Sequence, residues 1–378
     1  MDQDIIATYF HLGLSYTEIL YALALNHRIV ISLRTLKRRL RQQRLFRRKH
    51  FTDILEVADF IFDQINESGI MHGYRWMHLK CLQAGKVVQR DTVYAVMKIL
   101  DPDGLQLRRR GRLIRREYFA RGPNYLWHLD SYDKLKTYGL RINGCIDGFS
   151  RQIVWLNVYR TSSDPKVIAG YYMEAVSAME GCPSMIRGDM GTENGRVAMM
   201  QEFLSEQNSF IYGKSTHNQR IEAFWCMLRK ECTQFWIDAL KTLKDVGDFT
   251  GDSLDTGLVQ FCFMSLVQND LDRMSSVWNC HRIRRSKNQN VPNGRPVVLF
   301  SMPELFGRRD YLKPVDQEHI EACCTECTFR DGLPCDEELF ELFIIYMTEH
   351  SLEHPGNVEQ ALQLYHALRD AIRQDLEQ

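Results

Sequence analysis

Apolar and polar positions change their period along the 378-residue chain. Through the first hundred or so positions, apolar side chains recur at three- and four-residue steps, the spacing of one helix face. Two stretches there align at an offset of 57, "VISLRTLKRRL" (30–40) and "VVQRDTVYAVM" (87–97). Val30 matches Val87, Thr35 matches Thr92, Leu36 matches Val93 and Leu40 matches Met97. Each copy follows a helical stretch ("SYTEILYALAL", "GYRWMHLKCLQAG") and a turn, which predicts helix-turn-helix units over 1–50 and 51–104. Ser32 stands where an N-cap would, opening a helix whose exposed side carries cations.

The period breaks at "DPDGLQLRRRGRLIRREYFARGPN" (101–124), where Pro, Gly and arginines replace apolar spacing; residues 105–122 read as a basic linker. From Tyr125 the texture is that of strands. "YLWHLD" runs to Asp130, and "RINGCIDGFSRQIVWLNVYR" gives two β-rich runs around the turn dipeptide Asp147-Gly148. A helix follows, with Asp164 as N-cap, Pro165 in the first turn, an apolar stripe of Val167, Ile168, Tyr171, Ala175 and Met179, and Gly181 as its end. "PSMIRGDMGTENG" adds a strand leading onto Asp189, and the next helix buries Ile221, Phe224, Trp225, Leu228, Cys232 and Phe235 on one face. Strands, helix, strand, then helices predict an α/β core over 123–300 with a mixed sheet. Residues 301–378 read as a small acidic helical domain, with Val358, Ala361, Leu362, Tyr365, Leu368 and Ile372 as one stripe.

Charge sharpens this division. Net charge is zero, yet residues 1–120 hold 21 Lys and Arg against 12 Asp and Glu, and residues 301–378 hold 6 against 17. A basic front fits a polyanion partner, and Arg34, Lys37, Arg38 and Arg41 are its candidate contacts. Arg109 and Arg112 in the linker either follow a phosphate backbone or solvate a tether. The acidic tail is compatible with a protein partner. No apolar run approaches the ~20 residues that span a bilayer, so no membrane partner is expected. The N-terminal "MDQDIIATYF" has no basic n-region and does not read as a signal peptide. Eleven scattered cysteines do not suggest a disulfide scaffold, which points to a reducing interior. Cys324 and Cys327 form a CxxC, but no second pair follows at a zinc-finger spacing, and packing on an apolar helix face is the favoured reading.

Three carboxylates change the functional picture. Asp130 closes the first predicted strand, Asp189 the fourth, and Glu222 opens the helix beyond. Side by side without bases they would repel one another and resist ionising. Hard divalent cations relieve that, and all-oxygen ligands favour two Mg²⁺ or Mn²⁺ ions. Two such ions suit in-line phosphoryl transfer. Asp147 reads as a turn residue, and Asp133 and Glu193 as supporting acids.

The set "WHLDSYDKL…CIDGFSR…IRGDMGTEN…HNQRIEAFW" resembles the integrase core of retroviral integrases and related DDE transposases, closest to the transposon-derived integrase-like proteins of animal genomes. The likeness covers roughly residues 120–300, and "GYRWMH" resembles the second helix-turn-helix of insertion-sequence transposases. It implies an RNase H-like fold, two Mg²⁺ ions, DNA cleavage and strand transfer, and a multimeric protein. It carries the catalytic and metal-binding roles onto Asp130, Asp189 and Glu222. The interval from Asp189 to Glu222 is slightly shorter than usual for that superfamily. A histidine–cysteine zinc module at the front and an SH3-like domain at the end are both missing from the pattern. Lys214, His217, Asn218 and Gln219, in the loop before Glu222, either touch substrate or are ordinary loop polarity. Arg284 and Arg285, in the basic stretch 280–294, are read as further nucleic-acid contacts. A DNA substrate and the basic run Arg38–Lys49 imply a nuclear protein. The alternative is a domesticated descendant that binds DNA or proteins without integrating anything; the intact triad argues against such decay.

Overall fold

The computed structural model describes residues 2–66, 72–102, 120–213, 218–284, 292–330 and 332–376. Contacts group the chain into two compact units rather than five segments. One is Met1–Pro123 with Phe149–Gln152 and Ser276–Asp310; the other is Asn124–Gly148 with Ile153–Ser275 and Tyr311–Gln378. Residues past 300 therefore do not stand apart as an acidic domain. They divide according to where their apolar side chains find partners.

In the first unit, α1 (Asp2–His11), α2 (Tyr16–His27) and α3 (Leu33–Gln42) close on Ile6, Phe10, Ile19, Leu23, Leu36 and Leu40. Ser32 caps α3 as expected, its Oγ accepting the Thr35 N–H at 3.1 Å. A second trio, α4 (Ile54–Asn66), α5 (Tyr74–Gln83) and α6 (Arg90–Leu100), closes on Val57, Ile61, Met77, Cys81, Val93 and Met97. The repeat has a physical basis: Leu36 and Val93, and Leu40 and Met97, are all core residues of their own trio. The last residues of the predicted core and those just beyond it belong to this unit instead and brace the first trio. Val298 and Met302 pack on Ala22, and Arg295 bonds Glu18 Oε2 at 3.1 Å and the Gly13 carbonyl at 2.8 Å. Glu18 also accepts the Ser15 N–H in a capping box, so one carboxylate ties a helix start to a distant arginine.

The second unit is built on a five-stranded sheet. The strands are β1 (Trp127–Tyr132), β2 (Arg141–Asp147), β3 (Ile153–Tyr159), β4 (Ile186–Gly188) and β5 (Phe210–Tyr212), in spatial order β3-β2-β1-β4-β5. The pairs β1–β2 and β2–β3 are antiparallel; β1–β4 and β4–β5 are parallel. Helices α7 (Pro165–Met179), α8 (Gly195–Ser205), α9 (Gln219–Leu228), α10 (Gln234–Val246) and α11 (Ser253–Cys280) accompany it. A mixed five-stranded sheet with flanking helices is the RNase H-like architecture expected from the motifs. Asp164 and Pro165 open α7 as predicted, but the left-handed residue that ends it is Glu180, with Gly181 already in a two-residue strand beside Lys313–Pro314.

Two further elements depart from the expected pattern. α9 continues into α10 through a π-helical turn, Arg229–Thr233. The extra residue rotates the chain, so the stripe expected to end on Phe235 instead buries Trp236, Leu240 and Leu243. At the acidic end, α12 (Gln317–Cys324) stops before Cys327. Cys323 and Cys335 are buried, while Cys324 and Cys327 are half-buried. The last helices, α13 (Glu337–Glu349) and α14 (Val358–Leu376), pack within this unit rather than apart. Phe343 meets Phe261 of α11 edge to face, and Arg369 and Arg373 both bond the fully buried Asp255. Among the described residues no helix is long and apolar enough to cross a membrane.

Candidate active site

The strand order decides where the acids lie. Asp130 and Asp189 are 59 positions apart, yet β1 and β4 are parallel neighbours, with Trp127 opposite Ile186 and His128 opposite Arg187. Asp189 follows the last residue of β4. Asp130 sits within β1 rather than at its end, because the strand runs on to Tyr132 against β2. Parallel pairing and a common direction therefore bring both acids to the same end of the sheet.

α9 supplies the third acid. Its N-terminal turn buries Ile221, Phe224 and Trp225, while Glu222 stays half-exposed on the adjoining face. Trp225 does more than anchor the helix: its indole Nε1–H donates to Asp130 Oδ2 at 2.8 Å. The close approach requires Gly144, which lies opposite Asp130 in β2. A Cβ there would stand 2.8 Å from Trp225 Cη2.

Electrostatics tie the three together. Burial pushes the Asp130 carboxyl up from 3.8 to about 7, despite the Trp225 hydrogen bond that favours its charge; Glu222 and Asp189 push it further in the same direction. The Glu222 carboxyl is also raised by burial. Asp189 is held by its own turn, with Oδ1 accepting Asn194 Nδ2 at 2.7 Å and the Gly191 N–H at 3.2 Å. No ion pair neutralises any of the three among the described residues, and no hydrogen bond engages the Glu222 side chain there.

The donor set fits a hard cation: three carboxylates, all oxygen, with uncompensated negative charge on a half-buried surface. They act on one another through their fields rather than as a ready-made cage. Among the described residues no group of three His, Cys, Asp or Glu is drawn tightly enough to ligate an ion as it stands.

Of the candidate nucleic-acid contacts, Arg34, Lys37, Arg38 and Arg41 are exposed on or just beside the outer face of α3, and Arg284 is exposed beside the Ile283–Gly294 bridge. Arg109, Arg112, Lys214, His217 and Arg285 lie outside the described residues. Asn218 is not a surface contact. It is 2 % exposed, and its amide is engaged at both ends, Oδ1 by His128 Nδ1 at 2.6 Å and Nδ2 by the Leu129 carbonyl at 2.8 Å. Asp133 pairs with Lys136 at 3.3 Å, and buried Asp147 accepts the Asn124 N–H, which makes it part of the turn architecture.

Sequence reasoning passed over His128, Trp225 as a donor, and Gly144. The one available signal was alternation: His128, Asp130 and Tyr132 are every second residue of a strand and share a face. Burial holds the His128 ring down at about 3, with Arg187 and Arg220 nearby, so it is neutral.

Comparison with known proteins agrees with this architecture. A family model described as integrase core domain matches residues 118–300. No curated protein matches the chain. With the element order and three acids already in hand, residues 118–300 are an integrase core domain, of the superfamily that holds retroviral integrases and DDE transposases.

Proposed function

We propose that this chain is a DNA recombinase of the integrase and transposase kind, which cuts DNA strands and joins them to new ones. The observation that carries the reading is geometric: parallel pairing of β1 and β4 sets Asp130 and Asp189 at one end of the sheet, and the Trp225–Asp130 hydrogen bond docks the helix that carries Glu222 beside them, with no cation of the described residues paired to Asp130. Asp130, Asp189 and Glu222 would hold two divalent cations, Mg²⁺ or Mn²⁺. Those cations would supply activation of a water or a 3′-hydroxyl and stabilisation of the leaving oxygen. The chain's own residues set the scene: Trp225 orients the Asp130 carboxylate, and Asn194 with the Gly191 N–H orients Asp189.

DNA is engaged through α3, whose buried Leu36 and Leu40 leave Arg34, Lys37, Arg38 and Arg41 for phosphates and base edges. The same reading includes a nuclear location and a homo-oligomer. It also includes a protein partner for the acidic C-terminal tail.

The test is nicking and strand joining of labelled DNA ends with Mg²⁺ or Mn²⁺. Asp130→Asn, Asp189→Asn and Glu222→Gln should each abolish both steps and leave DNA affinity within a few-fold of wild type. Alanine at Lys37, Arg38 and Arg41 should weaken binding and flatten its salt dependence. The logarithmic slope should drop by about 0.9 for each phosphate that is no longer neutralised. Full activity of Asp130→Asn would overturn the proposal. Imaging a tagged protein, and measuring mass in solution, test location and assembly.

A further inference from the structure

Three alternate residues of β1 each hold one point of the helix that carries Glu222. His128 bonds Asn218 at 2.6 Å, Asp130 accepts from Trp225 at 2.8 Å, and the Tyr132 hydroxyl meets the Thr233 hydroxyl at 2.9 Å. A strand turns every second side chain to the same side, so these three form one row. The matching row on the helix is Asn218, Trp225 and Thr233. From Asn218 to Trp225 is seven residues, close to two turns of α-helix, which keeps both on one face. From Trp225 to Thr233 is eight, and a regular helix would carry Thr233 roughly 80° off that face. The π-helical turn Arg229–Thr233 absorbs the extra residue, and Thr233 comes back to Tyr132.

The first of the three points bears most directly on the acids. Asn218 immediately precedes α9, and its carbonyl accepts the Glu222 N–H at 3.2 Å. Its side-chain Nδ2 donates to the Leu129 carbonyl at 2.8 Å, and that carbonyl belongs to the peptide bond joining Leu129 to Asp130. The backbones of Asp130 and Glu222 are thus connected through a single asparagine. Because Nδ2 faces a carbonyl, Oδ1 faces the ring, and His128 Nδ1 carries the proton and donates. Both side chains are almost entirely buried, so water cannot take over either bond.

We propose that Asn218, seated by His128, is a positioning residue that fixes where the Glu222 helix begins on β1 and so sets Glu222 in place relative to Asp130. This rests on the reading of the acids as the reactive centre. The pair touches no substrate. It acts through the helix start, with the Trp225 and Tyr132–Thr233 bonds holding the same helix farther along.

Hydrogen exchange on the full chain, resolved by peptide, tests the clamp without reference to activity. Asn218→Ala should quicken exchange over residues 219–225 about tenfold or more, with Ser253–Cys280 as slow as in wild type. Asn218→Asp keeps the acceptor for His128 but loses the donor to Leu129, and carries the same expectation should the alanine variant fail to fold. His128→Asn, which keeps a donor near the Nδ1 position, should stay closer to wild type than His128→Leu. The control is Gln201→Ala, which breaks another buried amide network, to Tyr172, Pro183 and Ser209. Unchanged protection over 219–225 in Asn218→Ala, or the same general loosening in it and in Gln201→Ala, would overturn the clamp. In parallel, Mn²⁺ uptake followed by electron paramagnetic resonance should weaken about tenfold in Asn218→Ala and stay within about twofold in the control. Equal Mn²⁺ affinity in Asn218→Ala and wild type would overturn the positioning role. A wild type that takes up no Mn²⁺ would refute the reading of the acids, while the exchange measurement would still decide the clamp.

Discussion

Replacing Asp130 with asparagine should make the metal-free protein more stable while removing its chemistry. In the folded chain the Asp130 carboxyl is raised from 3.8 to about 7, chiefly by burial and then by Glu222 and Asp189. Between those two values the folded state binds more protons than the unfolded one, so stability falls as pH rises through that window. Above pH 7 the full cost is present. Each pH unit is worth about 1.4 kcal/mol, which puts the whole burden near 4 kcal/mol, and partial solvent access lowers it to about 2–4 kcal/mol. Asparagine keeps an oxygen to accept the Trp225 indole N–H and carries no charge. At pH 8 in a chelator, Asp130→Asn should therefore melt roughly 5–12 °C above wild type. The difference should shrink as pH falls and vanish near pH 4. Added Mn²⁺ should raise the wild-type melting temperature and leave that of the variant nearly unmoved. Calorimetric or fluorescence melts across pH 4–8 provide the measurement. A variant that melts below wild type at pH 8, or a difference that does not change with pH, would refute the reasoning.

Gly144→Ala should displace the Trp225 ring, because its Cβ would stand 2.8 Å from Cη2 and 3.1 Å from Leu156 Cδ1; the expected loss is about 1–3 kcal/mol with altered tryptophan fluorescence, and unchanged melting and emission would count against the packing described. His128 and His281 are held neutral by burial, at about 3 and about 4. The unfolded chain takes up their protons first, so stability should drop as pH falls below about 6.5, by about 1.4 kcal/mol per pH unit and residue. Denaturant titrations at pH 7.5 and 5.5 in the Asp130→Asn background, where the opposing titration of that carboxyl is absent, check this, and His281→Gln should flatten the slope of the first unit. Asp255→Ala removes the buried carboxylate shared by Arg369 and Arg373, which keep Asp248 and Asp252 as partners, at a cost of about 1–3 kcal/mol; limited proteolysis should then release α14 first, and an intact α14 would argue that its apolar face alone suffices.

Local pattern carried far in this chain. The N-caps at Ser32 and Asp164, the matched core positions Leu36 with Val93 and Leu40 with Met97, and the order of β1 to β4 around α7 could all be read from residues within a turn or two of one another; the short edge strand Phe210–Tyr212 could not. Capping and face periodicity are short-range effects. Asp130, Asp189 and Glu222 were legible as a set only because their surrounding motifs occur together. Any one of them alone is an ordinary turn or helix-start acid.

The tertiary structure decided what those acids feel and what holds them. Trp225 looked like one more apolar residue, and only packing across Gly144 turned its N–H onto Asp130. Asn218 looked like a substrate contact or loop polarity, and only the pairing with β1, some ninety residues away, made it a buried link between His128 and Leu129. The π-helical turn moves the buried face from Phe235 to Trp236 and brings Thr233 to Tyr132. The acidic terminal helices looked separable, yet Asp255 claims two of their arginines. Period and caps are written into neighbouring residues. A hydrogen bond between residues far apart in sequence exists only once the sheet order brings them together, and no local pattern encodes that order.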